Sequence, residues 1–235
     1  MIGLPKISTL LLLRILVARR YIVREHDGYR LIRLPGEVSA GQPGDQPAWS
    51  TLLRLAAPAL VEAAIAGNES TFLAVLTPTG RVRYLSKLLP LERELKYDRD
   101  IQLDRIPHHV ASGLALLAAL PGPAMEDYLT ALTPESHDAA DRAIQAARCD
   151  GIAVNLIGWI EGAAGVAVAV LDPSGHPVTV VNLAGPASRV RANLPVLERA
   201  ARAAAARIAR DLERLTPRLP KPLSARECQP PEPPL

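Results

Sequence analysis

The residues best suited to chemistry are few, and none falls into a catalytic spacing. His108 and His109 are adjacent, so on a helix they point about 100° apart and cannot chelate one ion without a third ligand from elsewhere. Cys149 and Cys228 lie far apart and fit neither a CxxC nor a zinc spacing, which predicts two reduced thiols. Cys149 has only Arg148 as a cation beside it in sequence, too little to mark a redox centre. The chain holds no GxSxG elbow, no GxxxxGK[ST] phosphate loop, no HExxH and no dinucleotide fingerprint. Its Asp and Glu residues stand mostly at helical or turn positions, where a solvated face accounts for them. These residues predict a protein that is not an enzyme, uses no cofactor and binds no metal.

Composition limits what can carry a function. A chain of 235 residues, 49% hydrophobic and 22% charged, is long enough for a sizeable core. Aromatic residues make up only 3%, so that core is built from Ala, Leu, Val and Ile, and stacking platforms for single-stranded nucleic acid are disfavoured. The net charge of +3 is too small for a chain that coats nucleic acid or membrane by bulk charge. Its distribution is uneven: residues 1–35 hold seven basic residues against Glu25 and Asp27, a net of +5, and the other 200 residues are net −2. A basic head on a slightly acidic body fits a nucleic-acid reader joined to a sensing or catalytic module. No stretch reaches the roughly 18 uncharged apolar residues of a spanning helix. The basic residues follow the apolar run 10–13 instead of preceding it, unlike a signal peptide. A cytoplasmic protein without membrane contact is expected.

In the head, Ser8 or Thr9 can cap a helix whose Leu10, Leu13, Leu16 and Val17 share one face. Two alternating segments, 21–24 and 29–33, follow around Asp27-Gly28, a positive-φ turn signal. Helix, turn and two-stranded wing form the back half of a winged helix-turn-helix. The Gly- and Pro-rich stretch 36–47 reads as a linker, and 49–66 as a long amphipathic helix containing Pro58, bridging two modules. Strands are predicted at 71–76 and 81–88, with a weaker one over 95–103. Helices are predicted at 110–120, 124–132 and 139–147, strands at 152–156, 165–171 and 178–183, and a last helix at 195–215. Strands, then helices, then strands give an α+β body with an antiparallel sheet flanked by helices. The expected units are a partial winged head at 1–35, linker and linker helix at 36–67, an α+β domain at 68–215, and a disordered Pro-rich tail at 216–235.

Three groups of residues together resemble the IclR family of bacterial transcription regulators. The run 15–22 (ILVARRYI), preceded by Gly3-Leu4-Pro5-Lys6 and Ser8-Thr9, is similar to that family's recognition helix and wing entry. His108, Ala111, Gly113, Ala115, Leu117-Ala118 and Leu120-Pro121 match its His-x-x-Ala-x-Gly-Lys-Ala-x-Leu-Ala-x-Leu-Pro signature, with Leu114 in place of the Lys. Gly151, Gly165-Val166, Asp172 and Leu183-Ala184-Gly185-Pro186 fall where the family has its C-terminal strand pair. The resemblance implies a GAF-like or PAS-like sensor domain in a ligand-responsive, DNA-binding transcriptional regulator. It further implies an organic acid effector and a homodimer or homotetramer on DNA. The winged motif's first two helices have no counterpart here, and Leu10 and Leu11 stand where relatives show polar or basic recognition residues. Leu10, Leu13 and Leu16 are therefore expected to be buried by a second copy, as is the 49–66 helix. This keeps an alternative open: a DNA-blind effector-binding or interaction protein that pairs with full-length relatives.

On this reading Lys6 and the helix N-terminus hold a phosphate, Ser8 and Thr9 touch phosphate or base, Arg14 adds a cation, and Arg30 on the wing lies near the next stretch of backbone. The alternative is that these are ordinary caps and solvated charges. For the effector, the resemblance implies contacts at Ala111, Ser112, Gly158, Val168, Asn182 and Ala184. A helix start near Val110 offers free amides to a carboxylate, and Ser112 and Asn182 add donors. Because Gly158, Val168 and Ala184 are not polar, an aromatic or aliphatic acid is expected. The alternative for Val168 and Ala184 is plain core packing. Trp159 is expected on a loop at the pocket mouth, as a lid or dimer contact, and His108 as a structural residue at the helix start.

Overall fold

A computed structural model describes residues 22–25, 28–31, 46–90, 93–157 and 160–215. Two short strands, β1 (Ile22–Glu25) and β2 (Gly28–Leu31), pair antiparallel with Glu25 opposite Gly28. The recognition helix expected after Ser8 and Thr9 and the tail 216–235 lie outside the described residues.

The body is α+β. Its five-stranded antiparallel sheet has the order β4 (Val82–Leu88), β3 (Ser70–Leu76), β7 (Pro177–Pro186), β6 (Ala163–Leu171), β5 (Ala153–Asn155). The tight turn after β3 forms where Gly80 takes φ 68°, a conformation open to glycine at little cost. Asp172 Oδ1 accepts from the amides of Ser174 and His176 and so closes the β6–β7 turn.

Alternation along the strands decides which helices cover which face. Leu73, Val75, Val166, Val168, Val170, Val181 and Leu183 point to one side. There they meet α1 (Gln46–Gly67) and α6 (Leu194–Leu215), which follows the short α5 (Ala187–Ala192). Leu52, Ala56, Ala59, Leu60 and Ala63 of α1 recur at helical spacing and are buried there with Leu197, Ala201, Ala204 and Ile208 of α6. The long first helix, expected to lack a partner within the chain, finds one in α6 and the sheet. Its apolar stripe therefore belongs to the body's own core. Trp49–Gly67 is long and apolar enough, by length and composition, to cross a membrane; it lies on this face, and its Glu62 pairs with Arg207 of α6.

Phe72, Ala74, Ala167, Val180 and Ala184 point to the other side, against α2 (Ala111–Ala118), α3 (Gly122–Thr130) and α4 (Pro134–Asp150). Two arginines close helix ends here. Arg148 donates to the carbonyls of Ala118 and Leu120, and Arg202 to that of Asp150, beside Gly151 at φ 62°.

Residues 95–103, expected as a weak strand, form bends instead, with a single bridge between Arg105 and Val82 farther on. Side chains tie this segment down where a ladder would have done so. Asp98 accepts from Lys87 at 2.5 Å, and Asp104 takes Arg83 in a fork at 2.9 and 2.7 Å. Its start is held by a buried ion pair. Glu69, 1% exposed, accepts from Arg189 Nε and Nη2 at 2.5 and 2.7 Å, and Arg189 also donates to the Leu95 carbonyl at 3.0 Å. Gly185 makes room for that carboxylate, since a Cβ there would stand 2.2 Å from Glu69 Oε2.

Gly113 has a comparable role for α2. A Cβ at that position would lie 2.1 Å from the Pro107 carbonyl oxygen in the 3-10 turn Pro107–His109. Gly113→Ala is expected to lower the urea midpoint by an amount equivalent to about 1–3 kcal/mol of overpacking; an unchanged midpoint would mean the turn gives way freely.

Candidate functional site

Between the start of α2 and the sheet lies a pocket of about 360 Å³, part of it open to solvent. It exists because β6 is small on this face. Gly165 and Ala167 stand where Val166 and Val168 stand on the other, and a Cβ at Gly165 would already meet Asn182 Oδ1 at 3.0 Å and Ala111 Cβ at 3.5 Å. Tyr84 comes from β4, Tyr97 and Arg99 from the 93–106 segment, His109 and Ala111 from the helix start, Asn155 from β5, and Asn182 and Ala184 from β7.

Arg99 is the centre of its electrostatics. The residue is 6% exposed, with its guanidinium carbon 4.6 Å from the Tyr84 ring centroid and 5.8 Å from that of Tyr97. Arg99 Nη1 donates to Tyr84 Oη at 2.6 Å, and Tyr84 Oη lies 2.7 Å from Ser112 Oγ. Burial pushes the Tyr84 pKa up against the pull of Arg99, so the phenol stays neutral near pH 7. It accepts from Arg99 and has its own proton for Ser112. Phe72 packs edge-on to both Tyr84 and Tyr97, at 5.5 and 6.2 Å. Three of the chain's eight aromatic rings thus gather at one guanidinium.

Among the described residues, two buried polar atoms of residues lining this site have no hydrogen-bond partner: Arg99 Nε and Asn182 Oδ1. An unmade hydrogen bond at a buried group costs about 1–3 kcal/mol. With Arg99 the pocket can hold an anion, and the first amides of α2, free of intrahelical acceptors, reinforce it from the Ala111 wall.

The expected residues separate cleanly. Ala111, Asn182 and Ala184 line the pocket together, and Ser112 joins it through Tyr84. Val168 does not. It pairs with Val181 and faces α1 and α6, because one residue's step along a strand reverses the side; its place near the site is corrected to Ala167, which pairs with Asn182. Gly158 and Trp159 lie outside the described residues, as do Lys6, Ser8, Thr9 and Arg14. Arg30 sits in β2 opposite Val23. Sequence reasoning missed Tyr84, Tyr97, Arg99, His109 and Asn155. Tyr84 alone had a local signal, being a polar-tipped residue in phase with Val82 on the core side of β4. The pocket is accordingly more polar than Val168 and Ala184 suggested. Cys149 is a free, exposed thiol, and among the described residues no group of three or more His, Cys, Asp or Glu could hold a metal.

The arrangement is a sheet covered on both faces by helices, with a pocket at the start of the signature helix. The family model described as the bacterial transcriptional regulator IclR C-terminal domain matches residues 50–210, and the chain belongs to that family of transcriptional regulators. Among solved structures it is similar to a transcriptional regulator from Rhodococcus sp. RHA1, at 23% identity over 90% of this chain and 86% of that one, TM-score 0.62. It is similar to an IclR regulator from Silicibacter sp. TM1040, at 21% identity over 90% and 85%, TM-score 0.63. An IclR homologue from Microbacterium hydrocarbonoxydans, complexed with 4-hydroxybenzoate, shares 24% identity over 90% and 88%, TM-score 0.62. At these identities the likeness is one of fold. No match is found among curated proteins.

Burial holds the His108 and His109 pKa values below the usual imidazole range, with His109 adding to the effect on His108. His108 Nδ1 lies 2.7 Å from Tyr128 Oη, and Asn155 Nδ2 donates to the His109 carbonyl. Unfolded histidines take up protons near pH 6.5, before these folded ones do. Their contribution to stability is thus whole above about pH 6.5 and is lost as pH falls through the lower folded values. The melting temperature is expected to drop between pH 7 and 5, and less steeply in a His108→Gln/His109→Gln variant. Parallel curves for the two proteins would disprove the assignment.

Proposed function

We propose that the chain is a ligand-responsive, DNA-binding transcription regulator whose body senses a small organic acid, the carboxylate lying against Arg99 and the start of α2. The observation that carries this is the buried Arg99 guanidinium, which among the described residues has no carboxylate within 4.0 Å. A buried cation without a countercharge is costly by several kcal/mol, and the faces of Tyr84 and Tyr97 offset only about 2 kcal/mol of that. A ligand carboxylate supplies the missing charge, and Arg can take it through two parallel N–H donors. The remainder of the acid lies against Ile160, Ala163 and Ala184 on the pocket wall, which suits an aromatic or aliphatic body. The 4-hydroxybenzoate held by the Microbacterium regulator is an acid of that kind. Benzoate and short aliphatic acids should raise the melting temperature, and Arg99→Gln should weaken the best of them about 10- to 100-fold, the worth of a charge-assisted hydrogen bond. Undiminished affinity in the folded variant would rule out this anchor.

DNA contact belongs to the head, with Lys6, Ser8, Thr9, Arg14 and Arg30 on phosphate or base and a homodimer or homotetramer presenting two or more such heads. Lys6→Ala/Arg14→Ala should weaken binding evenly across sequences and reduce the log–log salt slope by about 2. If no fragment from upstream of its gene is shifted at low salt, the protein is a sensor that does not itself read DNA.

A further inference from the structure

We infer that Arg189 is a positioning residue for the acid site: by joining the buried carboxylate of Glu69 to the Leu95 carbonyl, it fixes where the chain that carries Arg99 enters the pocket. The inference rests on the acid-sensing reading and adds to it two residues, Glu69 and Arg189, that do not line the pocket.

Residues 93–104 run past the sheet in bends and irregular backbone, without a strand of their own. Among the described residues, their nearest backbone–backbone hydrogen bonds to the sheet are the pair between Arg105 and Val82, beyond the far end. Elsewhere cationic side chains hold the carbonyls: Arg189 donates to Leu95 at 3.0 Å, Lys87 to Arg99 at 3.2 Å and Arg105 to Asp100 at 3.1 Å. These three holds are unequal. Arg105 belongs to the same stretch of chain. Lys87 is partly exposed and paired with a half-exposed Asp98, so water and salt weaken its grip. Of the three, only Arg189 is backed by a buried carboxylate.

Arg189 Nη2 serves both Glu69 Oε2, at 2.7 Å, and the Leu95 carbonyl, while Nε holds Glu69 Oε1. A fork onto one dry carboxylate fixes the guanidinium plane, and the plane fixes Leu95. Arg93 Nε, donating to the Asn68 carbonyl at 3.4 Å, holds the chain beside the same start of β3. Arg99 follows Leu95 by four residues, a tether of at most about 14 Å. Where Leu95 stands therefore limits where the Arg99 guanidinium can lie, and a binding group of this kind tolerates only about 10–20° of misalignment.

Titration calorimetry on the full chain with benzoate and butyrate, at a temperature where each protein is fully folded, tests this. Arg189→Lys keeps the charge but replaces the planar fork by a point donor, and Glu69→Gln keeps the shape without the charge. Each should weaken the acid that wild-type protein binds by about tenfold, the scale on which partners that orient a binding group act. Each should also speed hydrogen exchange at 93–99 while β6 and β7 stay protected. Arg189→Gln serves if the lysine variant does not fold. Ile208→Ala, buried on the other face of the sheet, is the control for stability: it should lower the melting temperature and leave acid affinity as it was. Unchanged affinity in the folded variants, unchanged exchange at 93–99, or an equal loss of affinity in Ile208→Ala overturns the positioning role and leaves the acid sensor standing. If wild-type protein binds neither acid, the sensor reading falls and this role falls with it.

Discussion

The organisation of the body depends on one strand having two unlike faces. β6 runs Ala163–Leu171, with valines at 166, 168 and 170 on one side and Gly165 and Ala167 on the other. The branched side buries Leu52, Ala56, Ala59, Leu60 and Ala63 of α1 and Leu197, Ala201, Ala204 and Ile208 of α6, and each leucine so covered contributes about 1.5–3 kcal/mol. The thin side lets the start of α2 approach closely, Ala111 standing 3.5 Å from where a Cβ of Gly165 would be. Core and pocket therefore have the same origin, and a side chain at Gly165 would crowd Asn182 and Ala111 at the pocket without touching the valine face.

Two buried charges show how differently a fold can treat such groups. Glu69 is matched by a forked Arg189, so its burial is compensated within the chain and its job is to fasten α5, β3 and the Leu95 carbonyl together. Arg99, a few residues beyond that fastening, is held by a phenol and two aromatic faces and is left wanting an anion. The first arrangement makes the second possible, since a guanidinium kept dry without its counterion needs a backbone that does not swing it out to water.

Most of the body was legible in the sequence because its signals are local. Gly80, at φ 68°, and Asp172, which closes the β6–β7 turn, each sit inside the boundary they set. Three things were not. The 95–103 segment alternates well enough to pass for a strand, but its charges bond to Lys87 and Arg83 instead of a ladder. Val168 was assigned to the wrong face by one residue, an error that pattern alone cannot expose in a strand apolar on both sides. Arg99 sits among Arg93, Glu94, Lys96, Asp98 and Asp100, where every charge reads as solvated; its burial is a product of packing by Tyr84 and Tyr97, far away or on the same loop, and no spacing encodes it.

β4 is the outermost strand of the sheet on its side, and an outermost strand offers unpaired amides and carbonyls to any other chain that drifts by. Here the 98–105 segment lies beside it, bridged at Val82 and pinned through Arg83 and Lys87. At the opposite margin β5 is only three residues long, a poor template. The stretch of chain that delivers Arg99 to the pocket is thus also a guard against edge-to-edge aggregation. A change that loosens it, at Asp98 or Asp104 for instance, would threaten solubility along with the placing of Arg99.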